Sequence, residues 1–89
     1  MVFLITYDLR KPGRDYASLY DAIKDIGDYN QPLESVWLVA NNSMDVFKVT
    51  THLKKYMDKS DLIFVVDITE SNCQGWLPKS SWEWLTKYR

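Results

Sequence analysis

Asp8 stands at the end of an apolar run, FLITY, and is followed within six residues by Arg10, Lys11 and Arg14 around a Pro-Gly pair. A carboxylate among clustered cations is a set of groups that can act on a phosphodiester. Carboxylates are hard-cation ligands, and Mg²⁺ is usually held by one or two of them together with water and substrate phosphate. On this reading Asp8 is the catalytic, metal-holding acid and Mg²⁺ the cofactor. Arg10, Lys11 and Arg14 would bind phosphate, helped by the N-terminus of the helix that follows. A structural role stays open to the same acid, because an Asp after a strand commonly caps the next turn or pairs with a nearby Arg, and spacing alone does not separate the two.

The other chemistry-bearing residues point less far. His52 shares a helical polar face with Asp45, Lys48 and Lys55, and no second His exists to form a dyad or a metal site, so a solvated side chain is the favoured reading. Cys73 has no adjacent base and reads as a loop thiol without function. Trp37, Trp76, Trp82 and Trp84 could stack on bases of a single strand. Mixed flanking charge, with no accompanying run of Lys or Arg, favours instead a role in capping the fold or the seam of a dimer.

The elements that must position these residues follow from periodicity. Val2 to Tyr7 is a strand apolar on both parities. Tyr16, Leu19, Tyr20, Ile23 and Ile26 recur at helical spacing, with Asp15 as N-cap and Gly27 as stop. Pro32 makes the stretch DYNQPLES a short edge strand or bend. Ser35 to Ala40 is a second doubly apolar strand, and Ser43 is placed to cap a helix with core-side Val46, Val49, Leu53 and Tyr56 or Met57. Leu62 to Ile68 is the third strong strand. In the Trp-rich segment 71–89, Ser80 and Glu83 have capping-box spacing, and Trp82, Trp84, Leu85 and Tyr88 fall at helical intervals, which predicts a short terminal helix.

This order predicts one α+β domain over 1–89, the ferredoxin-like βαββαβ sandwich. Two right-handed crossovers interleave into a four-stranded antiparallel sheet with two helices on one face, followed by the C-terminal helix. In that topology the end of the first strand lies beside the starts of the other two strong strands, which puts Asp8 near Glu34 or Ser35 and near Asp61, and Asp67 at the opposite end beside Val2. Helices cover only one face of such a sheet, yet its three strong strands are apolar on both. At ~25 cal/mol per Å² of apolar area, a wet second face costs more than a small domain's margin of stability. The Trp-rich segment, a second copy or both must cover it, and the chain is expected to be a homodimer.

Composition sets the remaining bounds. With 89 residues, 46% of them hydrophobic and 15% aromatic, the chain has the makings of a compact core and not of a disordered polar tract. A formal net charge of −1 excludes nucleic-acid binding by bulk charge, so any contact with RNA or DNA phosphate must be local. One cysteine forms no internal disulfide, which fits the cytoplasm. No apolar run reaches the ~20 residues of a membrane span and no export signal is visible, so no membrane partner is expected.

The strand FLITYD with its terminal acid, the helix behind it, and SVW opening a later strand together resemble the small CRISPR-associated ferredoxin-like proteins of the spacer-acquisition complex. Across nearly the whole chain, TYDLRKPGRDY, LYDAIKDIG, SVWLV and GWLPKSSWEWL are similar to small bacterial and phage proteins labelled SinR-family or Cas-like. The first resemblance implies a homodimer with facing sheets and a metal-dependent ribonuclease or deoxyribonuclease whose acid is Asp8, the two copies meeting across the dimer axis. Ser35 and Trp37 match the family's Ser-Val-Phe-like strand start. DYNQPLE, with Pro32 and Glu34, stands where that family often carries Arg, which argues against binding a duplex backbone there. Two alternatives remain on the same scaffold: a non-enzymatic module binding a protein partner or a nucleotide-like ligand, and a toxin ribonuclease of the VapD kind, which shares the early Tyr-Asp feature.

Overall fold

The computed structural model describes residues 1–89. Seven elements follow one another: β1 (Val2–Asp8), α1 (Ala17–Lys24), β2 (Asp28–Leu33), β3 (Val36–Ala40), α2 (Val46–Lys54), β4 (Leu62–Asp67) and α3 (Lys79–Tyr88). The strands form one sheet in the order β2-β3-β1-β4 with every neighbouring pair antiparallel. This is the ferredoxin-like arrangement, with the doubly apolar β1 and β3 at its centre. Ile5 stands opposite both Trp37 and Val65.

Alternation along the strands sorts side chains to two faces. Phe3, Ile5, Trp37 and Val39 point to the helix side, where Leu19, Ala22 and Ile23 of α1 and Val49 and Leu53 of α2 close an 11-residue core with Ile26 and Met57. Val2 and Leu38 point to the other side, where Leu85 of α3 packs on them with Ile68. The terminal helix therefore covers part of the second face from within the same chain. It is tied down by Ser81, 2% exposed, whose hydroxyl lies 2.7 Å from Asn30 Oδ1 on β2.

The rest of that face is open. Leu33 is 53% exposed, Leu62 51%, Phe64 65% and Trp76 96%. Trp37, by contrast, is a buried member of the helix-side core, and Trp82 and Trp84 are half-buried on α3. Trp76 caps nothing within the chain.

Several element ends differ from the sequence expectation, and each has a local cause. Tyr16, not Asp15, occupies the N-cap of α1, while the Asp15 carboxylate still accepts the Ala17 N–H at 2.9 Å. Asp45 caps α2 by accepting from Lys48 N–H at 2.8 Å. Ser43 stands two residues before that cap, and its N–H donates to Asn41 Oδ1 at 2.7 Å. Val46, the first residue of α2 and expected on its core side, is 39% exposed. Pro78 precedes α3 without a side-chain cap, so the Ser80–Glu83 box does not form. Pro32 does disturb pairing as expected, since the β2–β3 register shifts between Asn30 and Leu33.

Gly27 does end the α1 region, though not through a left-handed backbone. A Cβ at Gly27 would stand 2.0 Å from the Ala40 carbonyl oxygen. Glycine is required there so that the chain entering β2 can pass the end of β3.

Candidate functional site

The loops after β1 and before β4 meet at one end of the sheet, and Asp61 joins them. This carboxylate is 3% exposed. One of its oxygens accepts the Arg10 N–H at 2.7 Å, the other accepts the Asp58 N–H at 2.8 Å, and the Tyr16 hydroxyl lies 2.7 and 2.8 Å from the two. Burial works against its charge, but the Arg10, Tyr16 and Asp58 donors outweigh burial and hold the carboxyl below its ordinary range. Burial, and then the bond to Asp61, push the Tyr16 hydroxyl above its ordinary range. Asp58 is likewise held low, by the Ser60 hydroxyl and N–H.

Asp8 lies where the sequence puts it. Its register partner is Leu62, one residue from Asp61, and the Tyr7 hydroxyl beside it donates to the Glu34 carbonyl at 3.4 Å. Asp67 pairs with Phe3 at the far end, as expected. The two acids do not share a site, however, because Asp61 spends its oxygens on the loops while the Asp8 carboxylate stands in solvent, 3.0 Å from Arg10 Nε in the chain's one ion pair. Of the three proposed phosphate-binding cations, only Arg10 reaches Asp8. The Lys11 N–H donates to the Tyr16 hydroxyl at 3.3 Å. Arg14 turns to the Tyr56 carbonyl at 3.2 Å and lies over the Tyr16 ring, 5.4 Å from its centroid.

The donor set for a metal ion can be judged from this geometry. No group of three or more His, Cys, Asp or Glu side chains converges anywhere in the chain. At this end one copy offers Asp8, exposed and paired only with Arg10, and a second copy would bring the number to the two carboxylates that Mg²⁺ commonly takes from protein. Asp8 also lines a shallow cleft of about 250 Å³ with Thr6, Leu62 and Phe64, so the acid borders the uncovered part of the sheet.

The helix side of the same sheet carries a second cleft, of about 470 Å³, at the junction of α1 with β1 and β3. Tyr7, Tyr20 and Trp37 line it as a connected aromatic group, Tyr7 to Tyr20 at 6.2 Å and Tyr20 to Trp37 at 6.3 Å between ring centroids. The Trp37 indole N–H donates to the Tyr7 hydroxyl at 3.1 Å. Burial and the nearby Tyr20 raise that hydroxyl's pKa against the opposing pull of the indole N–H. Sequence reasoning gave Trp37 its packing role but missed the cleft, because Tyr7, Tyr20 and Trp37 come from three elements and become neighbours only in the fold.

His52 is half-buried, edge-on to Tyr56 at 5.7 Å. Cys73 is exposed, and Arg89 Nη1 lies 3.0 Å from its sulfur. No helix is long and apolar enough to cross a membrane. Comparison with protein-family models, with curated proteins and with solved structures finds no match for this chain.

Proposed function

We propose that the chain works as a homodimer built on the uncovered half of its sheet, and that the two Asp8 carboxylates brought to the seam form a Mg²⁺-dependent site for cleaving RNA or DNA. One observation carries this reading: the exposed acid at the end of β1 shares a cleft with Leu62 and Phe64, the apolar side chains that a second copy would cover. Pairing copies across that face buries the apolar surface and supplies the second carboxylate in one step. Arg10, the cation beside Asp8, would orient the scissile phosphate, with Lys11 and Arg14 on the same loop adding attraction to the flanking backbone. Held by the Asp8 pair, the metal would supply Lewis acidity and a water acidic enough to attack at neutral pH.

The test is cleavage of labelled RNA and DNA, single- and double-stranded, with Mg²⁺ or Mn²⁺. The wild-type chain cleaves, and Asp8→Ala loses about 10²-fold or more of the rate. Equal activity of the two proteins removes the site.

A second reading is a non-catalytic binding module on the same dimer, serving a protein partner or a nucleotide-like ligand. The absence of any converging set of three His, Cys, Asp or Glu side chains favours it. It predicts no metal-dependent cleavage by either protein.

A further inference from the structure

The aromatic cleft on the helix side has the composition of a ligand site and takes no part in the Asp8 reading. Its volume, about 470 Å³, lies within the range of small-molecule pockets. Its two kinds of wall differ in character. Tyr7 and Tyr20, both half-buried, supply ring surface, and the buried Trp37 borders them, nearly parallel to Tyr20 with 23° between their planes. Lys24, Gln31, Glu34 and Ser35 supply the polar wall.

Those polar groups have capacity to spare. The Lys24 ammonium lies 5.8 Å from the centroid of the Tyr29 ring and has no carboxylate partner within ion-pair distance. Glu34 also lacks an ion pair, its carbonyl alone being used, by Gln31 Nε2 at 2.8 Å and by the Tyr7 hydroxyl. With its amide nitrogen bonded, Gln31 keeps its oxygen as an acceptor. The cleft therefore combines stacking surface, two acceptors and one cation.

We propose that this cleft binds the base and phosphate of a nucleotide whose base carries an exocyclic amino group. Aromatic side chains stack on any base face. Glu34 and the Gln31 oxygen accept from an amino group, which adenine, cytosine and guanine possess and uracil lacks. Lys24 takes the phosphate as a point charge. The site lies on the face covered by helices, so dimer formation across the open face leaves it accessible, and it stands independently of cleavage at Asp8.

The experiment is a titration of the ¹⁵N-labelled full chain, without metal, by AMP, CMP, GMP and UMP and separately by short single-stranded and duplex oligonucleotides. Four indole N–H signals report on the four tryptophans. Trp37 lines the cleft, whereas Trp76 and Trp82 line the opposite side and Trp84 sits on α3. The Trp37 signal shifts alone, and the three amino-bearing nucleotides bind more tightly than UMP. Lys24→Ala weakens binding by about threefold and Tyr20→Leu by about tenfold, while Glu34→Leu reduces the preference over UMP. Binding of the mononucleotides identifies a free nucleotide as the ligand. Binding confined to single strands identifies an unpaired base in a chain. No shift with either millimolar nucleotide or single-stranded oligonucleotide, or equal shifts at all four indoles, overturns the proposal. Asp8-dependent cleavage with an unresponsive Trp37 rejects the cleft alone, and a responsive Trp37 without cleavage rejects the nuclease alone.

Discussion

Asp61 shows how a single buried acid can organise one end of a sheet. Four donor contacts, from Arg10, Asp58 and Tyr16, hold the Arg10–Tyr16 loop against the turn before β4. Removing its charge leaves buried donors without an adequate acceptor, a costly defect. Asp61→Ala is expected to lower the thermal midpoint by about 10 °C in a circular-dichroism melt, whereas Asp8→Ala, which removes an exposed carboxylate, leaves it within about 2 °C. The pH dependence follows with a definite sign. The carboxyls of Asp58, Asp61 and Asp67 are all held below their ordinary values, so the stability they contribute is present above the unfolded value, ~3.9, and is lost as pH falls through their lower folded values. Tyr16 has the opposite sign of shift. Its contribution is complete below the unfolded value, ~10, and fades as pH rises through the raised folded value. Melts from pH 2 to 12 should therefore show losses at both ends, and Tyr16→Phe should lessen the alkaline one, to which the raised Tyr7 hydroxyl also contributes.

At the scale of the element, strands and helices were legible because their spacing is a property of local sequence: β1, β3 and β4 as apolar runs, α1 and α2 as periodic stripes. Their ends were less so. A cap is a choice among nearby oxygens set by where the helix starts, and α2 starts at Val46, so Asp45 and not Ser43 stands in place to bond the Lys48 N–H. Asp45→Ala should cost about 1 kcal/mol in denaturant unfolding, with Ser43→Ala close to neutral. Gly27 carries a constraint that no local pattern reveals, since the Ala40 carbonyl that excludes a Cβ lies in another strand. Gly27→Ala should cost about 2 kcal/mol or more by the same measurement, as forced overpacking does. The candidate site divides in the same way. Adjacency of Asp8 to the Asp61 end follows from strand order, while the commitment of Asp61 to backbone donors and the assembly of the aromatic cleft depend on tertiary neighbours.

For the whole molecule, the decisive fact is that α3 shelters one part of the second sheet face and leaves the remainder to solvent. Leu33, Leu62, Phe64 and Trp76 together present on the order of 500 Å² of side chain. Two copies pairing there would bury about 1,000 Å², the lower limit for a specific interface, and would carry the Asp8 acids to a common edge. Phe64, exposed on the edge strand β4, is the residue whose change should break the pair without disturbing the fold. Sedimentation velocity on the wild-type chain and on Phe64→Glu tests this most directly. Twice the chain mass for the wild type and a single, still folded copy for the variant is the expected result; a wild-type chain that sediments as one copy at tens of micromolar contradicts it.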